Sequence, residues 1–581
     1  MENSDIANLF STIADLLEIS GDNPFRVRSY RNGARIIEGL PFSLISVVER
    51  DDSELEEIPG IGKGLHEKIV EILTTGKCSF YEELLKKLPP TLLDILAIPG
   101  LGPKKIKILY SSEGIESIDA LEKAAKAGRL RALPGMGEKT ETNILKSIEA
   151  VRKRGGRSNI SKALKQAEAL VSFIKKLPGV TKAVPAGSLR RWKETIGDID
   201  ILVTCTHPAA VMEAFVSHDE VERVLAKGET KSSALFSNHM QVDVRIVDEE
   251  SFGAALQYFT GSKEHNLALR QRSKKRGLKI NEYGVFNEDN QQIAGKEEED
   301  VYKAVGLPFI IPQLREGRGE IEAAQKGQLP NLVQLKHIKG DLHMHTTWSD
   351  GRDSIEEMAN EAMQRGYEYI AITDHSKAVG IAHGLDEKRL LKQIEEIDRI
   401  NRIIRERGSD FTILKGSEVD IRADGTLDLD HSVLEKLDFV IGAIHSGFTM
   451  AGEEMTDRII KGMSTGLINV IAHPTGRLIN RREPYAVNME KILETAKKFR
   501  VAMEINSHPY RLDLCDIHCR QAIKSGVNVT LSTDSHNRGQ MENIIYGINT
   551  AQRGWVEAKN VLNTKSLSDL GKFLKKGKGE K

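Results

Sequence analysis

The chain has 581 residues, of which 29% are charged and 40% hydrophobic, and its formal net charge is −1. This length predicts several domains, and the nearly balanced charge excludes a uniformly basic nucleic-acid binder but not local basic patches. No apolar run approaches the roughly 20 residues of a membrane span, and the 4 cysteines are too few for a disulfide framework. Because the N-terminus also lacks the segments of a secretory signal, we expect a cytoplasmic protein that does not contact a membrane.

Residues 1 to about 85 have the periodicity of helices, with Ile6, Phe10, Ile13 and Leu17 on one face. A proline-glycine-x-glycine motif then occurs three times, at 58–64, 98–104 and 133–139. Its glycines permit a tight turn, and its N–H groups at the start of a helix can bind backbone phosphate without reading sequence.

A single turn of this kind is more often a plain helix connection. Three copies, each with a lysine at or just after the turn, resemble helix-hairpin-helix DNA-binding motifs. They lie in two predicted helical domains, 1–85 and 86–157. The candidate DNA-binding residues are Gly60, Gly62, Gly100, Gly102, Lys104, Gly135 and Gly137.

The stretch GSLRRWKETIGDID carries the main candidate catalytic residues. Asp198 and Asp200 lie two residues apart in a predicted strand, so their carboxylates share a face and can bind Mg²⁺. Asp243 falls in a second predicted strand, and Gly187 and Ser188 can bring N–H groups to a phosphate. A lone Asp-x-Asp pair is most often two solvated acids, whereas three acids on neighbouring strands are typical of a site for two metal ions.

The order and spacing of GS-x-RR-x₅-GDID, QVDV and YFTGS resemble the X family of DNA polymerases up to about Arg318. The resemblance implies a lyase-like domain over 1–85 and a fingers-like domain over 86–157. It also implies a nucleotidyltransferase palm over 158–250 and a thumb over 251–318, in an α+β arrangement. It also implies Mg²⁺ or Mn²⁺ as cofactor, deoxynucleoside triphosphates as substrates, and gapped or nicked double-stranded DNA as partner.

The same resemblance assigns roles to residues. Asp198 and Asp200 would hold both metals, and Asp243 would hold the catalytic metal and help deprotonate the primer 3′-hydroxyl. Gln241 stands where relatives often carry an arginine that pairs with the acids. Contacts to the incoming nucleotide and the template would come from Gly187, Ser188, Arg191, Tyr258, Phe259, Gly261, Asn266 and Arg270.

Lys68 aligns with the lysine that forms a Schiff base in the lyase domain of some X-family members. Arg26 matches one position of the family's 5′-phosphate pocket, but Asn32 and Gly64 stand where animal repair enzymes carry lysines. Abasic-site lyase activity is therefore one hypothesis for Lys68, and a surface lysine on a DNA-facing helix is the other.

Beyond a glycine-containing segment at 319–337, which predicts a linker, strands alternate with helices as in a parallel α/β barrel. Of the chain's 16 histidines, 11 lie beyond Gln334. Seven predicted strands end near metal-type or polar side chains, and in such a barrel these ends form one face. The candidate metal ligands are His343, His345, Asp350, His375, Glu418, His445, His473, Asp534 and His536.

Nine donors are too many for one tetrahedral ion, so we expect two or three divalent metals, with Zn²⁺, Mn²⁺ and Fe²⁺ all suited to these ligands. The motifs resemble the polymerase-and-histidinol-phosphatase (PHP) superfamily over 338–581. That resemblance implies a distorted (β/α)7 barrel and phosphoester hydrolysis. Next to a polymerase, the expected activity is a 3′→5′ exonuclease, and attack on 3′-blocking groups or abasic sites is a further hypothesis.

Together these features predict a monomeric, nucleoid-associated repair polymerase that fills short gaps, as in base excision repair. One rival is a non-templated nucleotidyltransferase joined to a small-molecule phosphatase, which the hairpin motifs and Arg270 disfavour. A second rival is a DNA-binding scaffold with a vestigial catalytic centre, which the intact acid triad disfavours.

Overall fold

The computed structural model describes residues 3–38, 44, 48, 52–58, 60–96, 98, 101–154 and 157–576. The chain divides into two compact units, Met1–Gly156 and Arg157–Lys581. No helix among these described residues is long and apolar enough to cross a membrane.

The first unit is helical. Its α-helices are Asn3–Ser20, Pro24–Glu38, Lys63–Thr75, Ser79–Lys87, Leu92–Leu96, Pro103–Glu113, Ile118–Lys126 and Glu138–Arg154, with 3₁₀ helices at Asp52–Glu57 and Leu130–Ala132. One hydrophobic cluster extends from Ile6 to Ile148, so the segments 1–85 and 86–157 share a core.

Each glycine motif of this unit leads into a helix N-terminus. Gly62 and Gly102 are the N-cap residues of Lys63–Thr75 and Pro103–Glu113, and Gly137 directly precedes Glu138–Arg154. A Cβ atom added at any of these three glycines would meet open space. The space beside each of these glycines at the helix start is therefore open.

The turn before each helix differs in detail between the motifs. Gly60 and Gly135 have φ angles of 93° and 74°, a conformation that favours glycine. The first and third motifs follow 3₁₀ helices rather than α-helices. Gly100 lies outside the residues that the structure describes.

The second unit begins with the region predicted to be the palm, residues 158–250. Its strands are β1 (Ser158–Asn159), β2 (Val180–Pro185), β3 (Thr195–Ile196), β4 (Asp198–Cys205), β5 (Val221–Lys227), β6 (Lys231–Phe236) and β7 (Gln241–Ile246), and its helices are Ile160–Lys175, Gly187–Arg190 and Pro208–Val216. The main sheet has the order β2-β4-β7-β6-β5. In it β4 and β7 are parallel neighbours, and Asp200 lies directly opposite Asp243.

The thumb follows the palm. It contains helices Phe252–Thr260, Lys263–Lys274, Glu298–Ala304 and Glu320–Gln325 and strands β8 (Lys279–Asn281), β9 (Gly284–Phe286) and β10 (Gln292–Ala294). These three strands form an antiparallel sheet.

The segment 319–337, expected to be a linker, is folded. Ile321 and Ala324 of its helix belong to the hydrophobic cluster of the thumb. Glu320 is buried, and its carboxylate contacts the buried His265 ring, with 2.7 Å between Oε1 and Nδ1. The helix has six residues, too few to show a periodic pattern among the flanking glycines.

The C-terminal part is a parallel barrel. Its strands are β11 (Gly340–Asp341), β12 (Tyr369–Ile372), β13 (Thr412–Asp420), β14 (Phe439–Ala443), β15 (Val470–Ile471), β16 (Ala502–Asn506) and β17 (Val529–Ser532), and its helices are Ile355–Gln364, Glu387–Glu406, His431–Leu434, Gly452–Ser464, Met489–Phe499, Asp516–Lys524, Ile544–Arg553 and Leu567–Lys576. The strands are hydrogen-bonded in sequence order, and a bridge from Met344 to Ser535 joins the two edges. The predicted distorted (β/α)7 barrel is confirmed.

Two features of the barrel add detail to the sequence prediction. Glu418 and Glu504 each lie two residues before the end of their strands, β13 and β16. Ile479 and Leu512, from barrel loops, belong to the hydrophobic cluster of the palm. The palm and the barrel therefore pack together within one unit.

The buried contact between Glu320 and His265 predicts a local stability effect. Glu320 also accepts hydrogen bonds from the backbone N–H groups of Gly317 and Arg318. Glu320→Ala leaves the buried His265 Nδ1 without its partner and removes the acceptor of both N–H groups. It should cost about 2 kcal/mol, which corresponds to roughly 30-fold faster amide exchange across the helix. Hydrogen–deuterium exchange of the full chain measures this change.

Glu322→Ala is the matched control, because Glu322 is exposed on the same helix. Equal exchange rates in the two variants would show that the buried carboxylate does not hold this segment.

Candidate active sites

The palm brings three predicted acids to one edge of its sheet. Asp200 and Asp243 are cross-strand neighbours on β4 and β7, and Asp198 precedes Asp200 by two residues on the same strand. Burial, together with the negative charges of Asp198 and Asp243, raises the pKa of Asp200 to about 6. The carboxylates repel one another. Among the described residues, these three acids do not form one of the groups whose ligand atoms all lie within 4.8 Å of one another. A divalent cation would relieve this repulsion.

Two cations that the sequence prediction missed stand beside these acids. Lys231 Nζ lies 3.5 Å from the Asp243 carboxylate, and the positive charge of Arg245 offsets part of the pKa increase of Asp200. Gln241, at the position where relatives often carry an arginine, donates a hydrogen bond to Asp243 over 2.9 Å. Arg245 was detectable from its spacing of two residues from Asp243, but Lys231 becomes a neighbour only through the β6–β7 pairing.

A cleft of about 950 Å³ lies next to the acids. Its lining includes Asp198 and Asp200 and all the expected nucleotide-binding residues, which are Gly187, Ser188, Arg191, Tyr258, Phe259, Gly261, Asn266 and Arg270. The buried Ser188 hydroxyl has no hydrogen-bond partner among the described residues. The cleft therefore presents an unpaired donor next to the carboxylates.

The two consecutive arginines of the palm motif have different surroundings. Arg190 donates to the Glu298 carboxylate over 2.9 and 2.7 Å and to the Thr260 hydroxyl over 2.7 Å, so it joins palm to thumb. Arg191 lines the cleft and donates from Nε to Glu316 over 3.0 Å and from Nη1 to the Thr260 carbonyl. Of these two arginines, Arg191 is the one that can contact a ligand in the cleft.

Two expected nucleotide contacts already have partners within the chain. The Asn266 amide donates to the Tyr258 carbonyl over 2.7 Å and accepts from Gln257 over 2.8 Å. The Arg270 guanidinium lies 5.3 Å from the centroid of the Tyr258 ring, a cation–π arrangement. A base edge at Asn266 would have to compete with the Tyr258 carbonyl.

In the barrel, the structure brings all nine predicted ligands to one end. Three groups have ligand atoms that all lie within 4.8 Å of one another: His345, Asp350, His375 and His536; His343, His345 and Asp534; and His375, Glu418 and His445. His473 adjoins them, because its Nε2 lies 2.9 Å from Glu418. His345 and His375 are shared between groups, which suits three neighbouring ions.

The donor atoms fit divalent cations. Among the described residues, the buried atoms without a hydrogen-bond partner include Nδ1 of His345 and of His473, while His375 Nδ1 and His445 Nε2 lie 2.8 and 3.2 Å from the Glu418 carboxylate. Burial alone would raise the pKa values of Glu418 and Asp534, but the surrounding histidines hold both well below the ordinary range. The cluster thus contains charged carboxylates and unpaired imidazole nitrogens, the donor set of Zn²⁺, Mn²⁺ and Fe²⁺ sites.

Three further side chains orient these ligands and were not predicted to do so. Glu504 contacts His343 Nδ1 over 2.7 Å, which leaves Nε2 of that ring for a metal. Asp420 lies 3.2 Å from His445 Nδ1, which leaves Nε2 of His445 for a metal. Arg511 lies 3.3 Å from the Asp534 carboxylate. Glu504 begins the polar run Glu504-Ile505-Asn506 at the end of a strand, a signal visible in the sequence, whereas Arg511 lies in a loop without a spacing signal.

In the helical unit, Lys68 lies on the helix Lys63–Thr75, and its Nζ is 3.7 Å from the Glu71 carboxylate. Its assignment as a lyase residue stays a prediction.

Four family models match parts of the chain. They describe a helix-hairpin-helix domain (residues 1–78), a SAM-like helix-hairpin-helix tandem (92–150), a DNA polymerase beta thumb (255–316) and a PHP domain (341–508). This combination is that of a DNA polymerase joined to a second, metal-dependent domain.

The chain is 40% identical over 579 residues to the DNA polymerase/3′-5′ exonuclease PolX of Bacillus subtilis (strain 168). The alignment covers 99% of this chain and 100% of that protein. The chain is 25% identical over 346 residues to DNA polymerase lambda of Rattus norvegicus, covering 54% of this chain and 56% of that protein. It is 27% identical over 250 residues to a protein of Thermoanaerobacter sp. (strain X514) named as a probable phosphatase, covering 41% of this chain and 95% of that protein. The chain belongs to the X family of DNA polymerases that carry a C-terminal PHP domain, which confirms both resemblances.

The contact between Gly187 and Asp200 predicts a selective loss of ligand binding. Gly187 has a φ of 61°, and a Cβ atom there would overlap the Asp200 carboxylate. Gly187→Ala should weaken binding of a Mg²⁺–nucleoside triphosphate at least about tenfold. The added methyl group strains the backbone (about 1–2 kcal/mol) and displaces the Asp200 carboxylate, which is a proposed metal ligand. Equilibrium titration measures it.

Gly327→Ala is the control, because Gly327 has a similar φ of 66° with open space around it. It introduces the strain without the overlap and should bind as wild type does. Equal binding by Gly187→Ala and wild type would contradict the assigned role of this cleft.

Proposed function

We propose that this chain is a DNA-directed DNA polymerase that fills short gaps during DNA repair and carries a 3′→5′ exonuclease in its PHP barrel. The observation that carries the proposal is the presence of two separate clusters of ligand residues in one chain, one beside a nucleotide-sized cleft and one at the barrel end. The relative from Bacillus subtilis, similar over its whole length, has a name that joins the same two activities.

In the palm, Asp198, Asp200 and Asp243 would hold Mg²⁺ or Mn²⁺. Such ions, when bound, neutralise charge on the attacking and leaving oxygens of phosphoryl transfer. With a pKa of about 6, Asp200 is mostly ionised at neutral pH and available as a ligand. Asp243, already paired with Lys231, is the residue proposed to accept the proton of the primer 3′-hydroxyl.

The remaining lining residues would bind the incoming nucleotide. Arg191 and the unpaired Ser188 hydroxyl would contact the triphosphate, and the Gly187 backbone lies close enough to the acids to leave no room for a side chain. Tyr258 and Phe259 would pack against the sugar, with Gly261 beside them.

Two residues of the thumb would read the base pair. Asn266 would exchange the Tyr258 carbonyl for a base edge, and Arg270 would leave the Tyr258 ring to reach the template strand. A template-reading arginine favours templated synthesis over terminal transfer.

In the barrel, the nine ligands would hold three divalent ions, whose chemical contribution is to make a bound water nucleophilic near neutral pH. Glu504 and Asp420 would fix the rings of His343 and His445. Arg511, next to Asp534, is placed to contact a phosphodiester. Removal of 3′-blocking groups and cleavage at abasic sites belong to the same chemistry and are included in the proposal.

The helical unit would hold gapped or nicked duplex DNA through backbone phosphates. Abasic-site lyase activity of Lys68, the monomeric state and a nucleoid-associated cytoplasmic location stay predictions from the sequence.

The two-site assignment predicts separable activities. On a gapped duplex with a labelled primer and Mn²⁺, Asp198→Ala/Asp200→Ala should reduce extension at least about 10³-fold because the metal ligands are lost, while degradation without nucleotides continues. His343→Ala/His345→Ala should lose degradation and retain extension.

If one of these variants abolished both activities, or if the histidine variant degraded DNA normally, the assignment of one activity to each cluster would be wrong. Addition of all four nucleotides without a template would instead support a non-templated transferase.

The open glycines of the hairpins predict a DNA-binding effect. Gly62→Leu, Gly102→Leu and Gly137→Leu place a side chain where the structure has open space, so they should not disturb packing but should block phosphate approach to the helix N-terminus. Each should weaken binding of gapped DNA about 3- to 10-fold, equally for different sequences. Fluorescence anisotropy without divalent metals measures this binding.

Gly571→Leu serves as control, because Gly571 also faces open space but lies in the last helix of the barrel. Unchanged DNA affinity in all three hairpin variants would rule out the hairpins as phosphate sites.

A further inference from the structure

The carboxylate of Glu316 lies at the centre of a cluster of cations beside the nucleotide cleft. Its Oε1 accepts hydrogen bonds from Arg191 Nε over 3.0 Å and from Arg553 Nη1 over 2.9 Å. Its Oε2 lies 3.9 Å from Lys193 Nζ. Burial alone would raise the pKa of Glu316, but Arg553, Lys193 and Arg191 hold it below the ordinary value. Glu316 is therefore a charged acceptor shared between residues of the palm and one residue of the barrel.

Arg553 is the barrel residue of this cluster. It ends the helix Ile544–Arg553 and is only 4% exposed. Besides Glu316, it donates from Nη1 to the Arg191 backbone carbonyl over 2.7 Å and from Nη2 to Asp516 over 2.7 Å. One buried guanidinium thus contacts both the backbone of Arg191 and the acid that binds the Arg191 side chain.

These contacts affect how strongly Arg191 can bind an anion. Arg191 is held by Glu316 and by the Thr260 carbonyl, and no acceptor among the described residues binds its Nη2. A carboxylate bound to Arg191 alone would compete with a phosphate for the guanidinium. Because Arg553 takes up part of the charge of Glu316, Arg191 stays oriented while its free edge can still bind a phosphate.

We propose that Arg553 is a positioning residue for nucleotide binding, so that the PHP barrel completes the triphosphate site of the palm. The proposal rests on the proposed polymerase function, because it takes the cleft to be the nucleotide site. It gives the barrel a role in synthesis that is independent of its own metal cluster.

The simpler alternative is that Arg553 only joins palm and thumb to the barrel. Asn549 separates the two explanations. It lies one helical turn earlier on the same helix and accepts a hydrogen bond from Gln313 over 2.8 Å, so it joins the thumb to the barrel without a hydrogen bond to Arg191 or Glu316.

The experiment measures KM for the nucleotide and kcat for single-nucleotide gap filling, and exonuclease activity in parallel, with full-length protein. Arg553→Met should raise KM about tenfold, as expected for the loss of charge-assisted hydrogen bonds, with kcat changed less than about threefold. Exonuclease activity should be unchanged. Asn549→Ala should match wild type in all three quantities.

A second substitution tests the route through Glu316. Glu316→Gln in the Arg553→Met background removes the charge that competes for Arg191 and should return KM to within about threefold of the wild-type value. If Arg553→Met does not fold, Arg553→Lys, which keeps the charge but cannot reach all three acceptors, should raise KM about threefold.

Several outcomes would overturn the proposal. These are equal KM values for the Arg553 and Asn549 variants, a parallel loss of exonuclease activity in Arg553→Met, and failure of Glu316→Gln to restore KM. Asp198→Ala distinguishes a failure of the polymerase function from a failure of the role of Arg553. If Asp198→Ala still fills gaps, the polymerase assignment fails. If Asp198→Ala loses gap filling while the Arg553 variants behave as wild type, only the role of Arg553 is refuted.

Discussion

Both candidate centres depend on the same constraint, which is that packing fixes charged ligand side chains next to one another. In the palm, the parallel pairing of β4 and β7 fixes Asp200 opposite Asp243, and the pKa of Asp200 rises to about 6 as a consequence of burial and of its acidic neighbours. In the barrel, histidines surround Glu418 and Asp534 and keep them charged. Such clusters persist only where packing imposes them, and divalent cations are the ligands that relieve them.

The packing that imposes these positions is shared between domains. Ile479 and Leu512 of the barrel belong to the palm's hydrophobic cluster, and Arg477 of the barrel donates to Glu194 of the palm over 3.2 and 2.7 Å. The palm loop that lines the cleft is therefore supported from the barrel side. This arrangement explains why the proposed influence of Arg553 on nucleotide binding needs no movement of either domain.

Much of this architecture could be predicted from the sequence because its signals lie within single elements. Asp198 and Asp200 share a face by their spacing, and the strand-end histidines of the barrel converge because parallel strands end on one face. The contacts of Lys231 with Asp243 and of Arg553 with Glu316 join distant elements, so they depend on sheet register and on packing that spacing does not encode. The fold of the segment 319–337, which the sequence predicts as a linker, depends on a similar long-range contact, since Glu320 is held by His265, 55 residues earlier in the chain.

The most direct test of the two-centre account is anomalous diffraction from crystals of the full chain with Mn²⁺ and a non-hydrolysable deoxynucleoside triphosphate. Data collected around the Mn, Fe and Zn absorption edges would locate each ion and identify it. We expect three peaks among the nine barrel ligands and at least one between Asp198, Asp200 and Asp243, with the triphosphate on Ser188 and Arg191. An ordered barrel without metal peaks, or a triphosphate bound away from Arg191, would contradict it.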